Sequence, residues 1–310
     1  MTASITYDLV VVGNPHYNRF VSPLLDTKDR VLSGSAANVF RVAAHLGVEQ
    51  AAIVGCLGDD FRAEFLQDLS DYPFAESVLL PSKATGGFEV DYSDGDSESL
   101  QVIGLANRIR ISDFPAELLK SRIVLMTPSH REIDVEFIDW LSGATNARII
   151  LDPRGLLQKT TNGGKIELVG GNDLLEEIVG LVHQIQVNEK EAEALTGQSD
   201  LFVAVEMLVE NGCDTAVVTM GEKGSILFDG SDFVIFPSFE SVARDCTIAG
   251  DAFLAAFASQ MLNGYNHLDS GIFATCTASI LIERESHKIS VDLEEVARRS
   301  EYLLEKVEFR

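Results

Sequence analysis

Six short apolar runs rich in valine and isoleucine constrain this chain more than any other feature. They are DLVVVG (8–13), AAIVGCLG (51–58), RIVLMTP (122–128), ARIILDP (147–153), HQIQVN (183–188) and TAVVTMG (215–221). Continuous apolar runs of this length, closed by Gly, Pro, Asp or Asn, read as strands buried on both faces. Helical patterns lie between them: SAANVFRVAAHLG (35–47), DFRAEFLQDLSD (60–71), EIDVEFIDWLSG (132–143) and DLFVAVEMLVENG (200–212). Strand–helix alternation of this kind predicts an α/β fold with a mostly parallel central sheet covered on both faces. In such sheets ligands collect at the carboxyl ends of the strands, so the residues just after each run come first.

Two stretches break the alternation. Residues 14–33 are polar with apolar pairs, and residues 85–103 read as a hairpin turning at Asp94-Gly95. Both are expected to form strands projecting from the main sheet as a small lid, which spans about 14–33 and 85–110. A further hairpin is expected where GSILFDG (224–230) meets FVIFPSF (233–239). With no repeat and no Pro/Gly-rich linker, the chain reads as one domain over 1–310 with an excursion.

Composition narrows the partners. A net charge of −24 disfavours nucleic acid and anionic membranes. No apolar stretch approaches the roughly 18 residues of a membrane span. The opening MTASITYDLVVVG has no basic leader, so no signal peptide is expected. Cysteines 56, 213, 246 and 276 lack CxxC spacing, which argues against zinc or a disulfide framework and for a reducing, cytoplasmic setting.

Four places can carry chemistry, and each also has a plain structural explanation. In SGSAAN (33–38) small residues let backbone pass close to a ligand and Asn38 offers a donor and an acceptor; equally, Gly34 turns the chain into a helix. In VNEKEAEALTG (187–197), Asn188 and Glu191 converge at a strand end, as hydrated Mg²⁺ requires, or form a capping box. Thr219, Gly221 and Gly224 suit phosphate or ribose contacts, or an ordinary glycine turn. In RDCTIAGDAFLAAF (244–257), Gly250 and Asp251 are an ordinary turn glycine and helix-start Asp, or the amides at Ala249, Gly250 and Asp251 open a helix whose N-terminus carries roughly half a positive charge. They can hold the charge on a transferred phosphoryl group while Asp251 takes a hydroxyl proton.

Together these strings, with GxxGD at 55–59, resemble the ribokinase-like sugar kinases of the PfkB family in order and spacing. AGDAF with Asp245 upstream is the most specific part, and the resemblance runs through essentially the whole chain. It implies a ribokinase-like three-layer sandwich with a β-strand lid, and phosphorylation of a sugar, inositol-like polyol or nucleoside hydroxyl by Mg·ATP. Asp251 would be the base, with Gly250 and Ala249 beside it in the anion hole. Asn188, Glu191, Thr219, Gly221, Gly224, Thr247 and Ala278 would serve the nucleotide, Glu191 holding Mg²⁺ through water. Asn14, Asn18, Gly34, Ser35, Asn38 and Arg154 would bind the acceptor. A homodimer through the lid edges is the implied assembly. His16 and His130 lie near the expected cleft as shape-giving residues.

The chain departs from the family pattern at three points. Ile248 stands where the family has glycine, so the loop either avoids positive φ there or is reshaped. A glycine at 248 is expected to raise turnover if the side chain strains the loop. Asn18 replaces an acidic residue that grips hydroxyls. ERESHK (283–288) replaces a glycine-rich loop, so no monovalent-cation site is expected there. Ile248 and Asn18 also keep open a reading as a weakly active or inactive homologue that binds a sugar or nucleotide as a regulator. A nicotinamide enzyme fits poorly, because the first strand runs into GNPHYN rather than GxGxxG.

Overall fold

The computed structural model describes residues 6–21, 29–72, 76–91, 99–161, 164–285 and 287–310. All six apolar runs become neighbouring strands of one ten-stranded sheet. They are β1 (Tyr7–Val12), β4 (Ala51–Gly58), β8 (Ser121–Met126), β9 (Arg148–Leu151), β12 (Gln184–Asn188) and β13 (Thr215–Thr219). Between these in sequence come β2 (His16–Val21), β3 (Val31–Ser33), β5 (Glu76–Ser82), β6 (Gly87–Asp91), β7 (Ser99–Gly104), β10 (Gln158–Thr160) and β11 (Ile166–Leu168). The chain closes with β14 (Ser225–Phe228), β15 (Phe233–Phe236) and β16 (Glu308–Phe309). The large sheet runs β16-β15-β14-β13-β12-β9-β8-β1-β4-β5, parallel from β13 to β5 and antiparallel beyond β13.

Its helices are α1 (Ser35–His45), α2 (Arg62–Asp68), α3 (Val135–Ala144), α4 (Asn172–Ile178) and α5 (Glu189–Thr196). They continue as α6 (Leu201–Glu210), α7 (Ala249–Leu262), α8 (His267–Leu281) and α9 (Leu293–Leu304). Strand periodicity distributes the core. In β1, Leu9 and Val11 face α1 and α7, whereas Val10 and Val12 face the side that carries α3 to α6. Both faces are therefore dry, which explains why these strands lack polar alternation. The result is a three-layer sandwich.

The two irregular stretches meet in a separate four-stranded sheet, β3-β2-β6-β7, with Phe20, Phe88 and Val90 as its own small core. Within it only β2 and β6 run parallel. The expected turn at Asp94-Gly95 lies outside the described residues. The hairpin at 224–239 forms as β14 and β15. Among the described residues no helix is long and apolar enough to cross a membrane.

Candidate active site

The carboxyl ends of β1, β8, β9, β12 and β13 lie along one edge, and the N-termini of α1 and α7 arrive at the same edge. β12 shows how the sequence arranges this. Ile185 and Val187 pack into the core on the far side, so the alternate residue Gln186 faces α7. Its Nε2 donates to the Gly250 carbonyl at 2.9 Å, tying the first turn of α7 to the sheet.

Asp251 stands in that first turn and is 2% exposed. One carboxylate oxygen, Oδ2, accepts from Asn38 Nδ2 at 2.8 Å. The other, Oδ1, is buried without a hydrogen-bond partner and lies 3.8 Å from the Arg154 guanidinium. Burial pushes the Asp251 carboxyl above the ordinary carboxylate range, against the pull of Arg154, Asn38 and the nearby Ser35 hydroxyl. The first intrahelical bond of α7 is Ala252 N–H to the Ile248 carbonyl, and Ala249 N–H donates to Cys246 O at 3.1 Å. The N–H groups of Gly250 and Asp251 thus belong to the first-turn set that has no intrahelical acceptor.

Arg154, three residues past β9, is the hub. Its side chain is 29% exposed and lies 3.4 Å from Asp152 Oδ2, 3.5 Å from Glu191 Oε1 and 3.8 Å from Asp251 Oδ1. It also donates to Ser35 Oγ at 3.3 Å, and Ser35 N–H donates to Ser129 Oγ at 3.2 Å. Three carboxylates thus share one guanidinium. Burial, and next the Asp152 charge, push Glu191 up to about 7, although Arg154 and the Asn188 N–H oppose the rise.

Asn188 and Glu191 form the complete capping box, with both bonds at 2.9 Å, at the start of α5. The structural explanation and the site explanation coincide here, because Glu191 Oε1 still faces Arg154. Thr219 is paired in register with Asn188 at the same sheet edge. Gly221 has φ 56° and open space around it. Gly224 serves the hairpin: φ is 92°, and a Cβ there would run into the Phe236 carbonyl. Thr247 donates its hydroxyl to Asp245 Oδ1 at 2.6 Å. Ala278 is partly buried, packed against the apolar clusters beneath α8. Chain-adjacent to Asp245, a cavity of about 660 Å³ is lined by Val242, Ala243, Arg244 and Glu283.

Two expected acceptor residues are engaged by the scaffold. Asn14 is 1% exposed; its Oδ1 accepts from Cys56 N–H at 2.7 Å and its Nδ2 donates to Asn107 O at 2.9 Å. Asn18 Oδ1 accepts from Phe88 N–H at 2.8 Å, tying β2 to β6. Sequence reasoning passed over Asp152, Gln186, Ser129 and Glu132. Asp152 was the most accessible of these, since it closes ARIILD at a strand end.

Ile248 avoids the conformation that made it look out of place. It caps α7 with φ −87° and ψ −9°, and its side chain is fully buried among α1 and the sheet. Ile248→Gly is therefore expected to destabilise the fold by about 2–5 kcal/mol, as large-to-small core changes do, with no gain in rate. Denaturant melts and initial rates check this; a stable, faster variant would show that the side chain does strain the loop.

The site is thus a buried carboxylate in the first turn of a helix, at the carboxyl edge of a three-layer α/β sheet. Residues 169–293 match the pfkB family carbohydrate kinase profile. The chain is similar to a cytidine kinase of Thermococcus kodakarensis, with 29% identity over 84% of this chain and 88% of that protein. It is also similar to a nucleoside kinase of Methanothermobacter thermautotrophicus, with 26% identity over 94% of this chain and 95% of that one. Its fold is similar to that of a pyrophosphate-dependent kinase in the ribokinase family, with a TM-score of 0.80, 21% identity, and coverage of 93% and 99% of the two chains. The ribokinase of Thermotoga maritima gives a TM-score of 0.75, 24% identity, and coverage of 95% and 99%. These matches support a ribokinase-like PfkB carbohydrate or nucleoside kinase, the family profile covering 169–293. It is a phosphotransferase with an alcohol group as acceptor, and kinases of this family use ATP with a divalent metal.

Proposed function

We propose that the protein moves the γ-phosphoryl group of Mg·ATP to a hydroxyl of a small sugar, polyol or nucleoside, with a nucleoside the first choice. The observation that carries this reading is the state of Asp251: buried, raised in pKa, and left with one oxygen unpaired beside the equally unpaired Asn38 Oδ1. An acceptor O–H fits there as a donor to Asp251 Oδ1. As its oxygen attacks the γ-phosphorus, Asp251 takes the proton and the bond to ADP breaks, giving the phosphate ester. The first-turn amides of Gly250 and Asp251, with the Arg154 guanidinium, would meet the charge on the equatorial oxygens, whereas the Ala249 N–H expected there is already held by Cys246 O.

The donor side supports a nucleoside triphosphate. A 660 Å³ cavity lined by Val242, Ala243, Arg244 and Glu283, just ahead of α7 in the chain, is within the usual size range of ligand sites and is our candidate for the nucleoside half. Among the described residues no group of three His, Cys, Asp or Glu is arranged to hold a metal directly. Three carboxylates against one guanidinium nevertheless leave a deficit of positive charge. Mg²⁺ brought in on the phosphates would supply it, and Glu191 and Asp152 are the residues that would hold its waters.

The nucleoside preference follows from the two long relatives named as nucleoside and cytidine kinases. The small sheet acts as the lid over the acceptor, and pairing of two copies through its edge belongs to the same reading. Free cysteines throughout the described chain accord with a reducing cytoplasm. The relaxed backbone at Ile248 removes one of the two grounds for an inactive homologue.

ADP release from Mg·ATP is the test, run over cytidine, uridine, adenosine, D-ribose and myo-inositol. We expect turnover on one class, led by a nucleoside. Silence on every acceptor while Mg·ATP binds by calorimetry would favour the binding-only alternative.

A further inference from the structure

A second buried carboxylate sits against the small sheet, apart from the Asp251–Arg154 cluster. Glu132 is 3% exposed, just before α3. Its Oε1 lies 3.0 Å from Nε2 of His16, and its Oε2 accepts the His130 N–H at 2.8 Å. His16, also 3% exposed, is the first residue of β2, so the pair bridges the small sheet and the main body.

The His16 ring is clamped by two glycines. A Cβ on Gly34 would come within 2.9 Å of its Cβ, and one on Gly86 within 2.7 Å of its Cδ2. Its Nδ1 is on the ring edge away from Gly86, buried and without a partner. Gly34 leads straight into α1, whose Asn38 touches Asp251, so this nitrogen and the base flank one short stretch of chain. Phe88 closes the small-sheet side, its ring 5.2 Å from His16 and edge-on to His130 at 5.9 Å.

The chemistry of the carboxylate sets the tautomer. Carboxylate oxygens accept, one of them here already from His130 N–H, so the contact at the other assigns the proton to Nε2 of His16 and leaves Nδ1 with a lone pair. A proton on Nδ1 as well would be a buried donor with no acceptor, the rarer kind of orphan. We propose that Glu132 is a positioning residue for acceptor recognition, fixing His16 so that Nδ1 accepts from an O–H or N–H of the acceptor while Phe88 packs against its apolar face. The inference rests on the kinase reading above.

Glu132→Gln tests it. A carboxamide has one accepting oxygen, so it cannot serve both His16 Nε2–H and His130 N–H; with its NH₂ against His16, the proton moves to Nδ1. The probes are pairs differing by one donor: D-ribose and 2-deoxy-D-ribose, cytidine and 2′-deoxycytidine, cytidine and uridine. For the pair that the unaltered enzyme discriminates, the variant is expected to raise KM of the preferred member about tenfold or more, the scale of one buried hydrogen bond. Its kcat and its KM for ATP stay put, and discrimination within the pair shrinks by the same factor. His16→Asn alone should erase that discrimination too, and adding Glu132→Gln to it should change nothing further.

An equal KM rise for both members of every pair would reduce Glu132 to a structural role and overturn the proposal. So would discrimination that survives His16→Asn. If the unaltered protein releases no ADP on any probe, the kinase reading fails and this inference falls with it.

Discussion

Asp251→Asn is expected to lower turnover by about a hundredfold or more while Mg·ATP binding and folding persist. The substitution is close to isosteric. Asn38 Nδ2 now donates to Asp251 Oδ2 at 2.8 Å, and a carboxamide oxygen keeps that bond. What disappears is a basic oxygen that can take a proton as the new O–P bond forms. The thermal midpoint should hold or rise, because burial disfavours the charge at this position. Calorimetric titration with Mg·ATP and initial rates on the best acceptor settle the matter together. Turnover within a few-fold of the unaltered enzyme would remove Asp251 from the role of base. Loss of nucleotide binding would instead make it part of the donor site.

That Asp251 was legible in the sequence, and much around it was not, has a physical reason. Residues whose signal is local stood out: a carboxylate at a helix start, an Asn and a Glu three apart at a strand end, glycines at turns. The central strands were equally plain, because burial on both faces writes continuous apolar runs. β5 was missed, since ESVLLPS is a half-buried edge strand containing a proline. Glu132, Gln186 and Asp152 act through partners such as His16 and Gly250 that lie elsewhere in the chain, and no local pattern marks such pairs. Long-range contacts also gave Asn14 and Asn18 work in the scaffold. From sequence, Ile248 allows either a loop that avoids positive φ or a reshaped one; the turn reaches α7 through αR backbone, and the side chain fills the core.

Arg154→Met should cost as much as any change outside the base, and its pH dependence identifies why. Met keeps the stem and removes the fork that reaches Asp152, Glu191, Asp251 and Ser35; a lysine cannot span four partners from one point charge. Arg154 lowers the pKa of both Asp251 and Glu191, against burial, which raises them. Without it only hydrogen bonds such as those from Asn38 and the Asn188 N–H oppose burial, and Glu191 rises beyond its present value of about 7. Proton abstraction needs Asp251 ionised, so the acid limb of the kcat profile should move to higher pH. We expect turnover at pH 7 to fall about tenfold or more, with part of the loss recovered near pH 9. Stability should follow the same sign. A carboxyl whose folded pKa lies above its unfolded value stabilises fully below the unfolded pKa and loses that contribution as pH rises through the folded one. The variant should therefore melt near the unaltered protein at pH 5 and progressively lower as pH rises past neutrality. A uniform loss of rate at every pH, with the acid limb unmoved, would mean that Arg154 acts on the phosphates alone and leaves the protonation of Asp251 and Glu191 untouched.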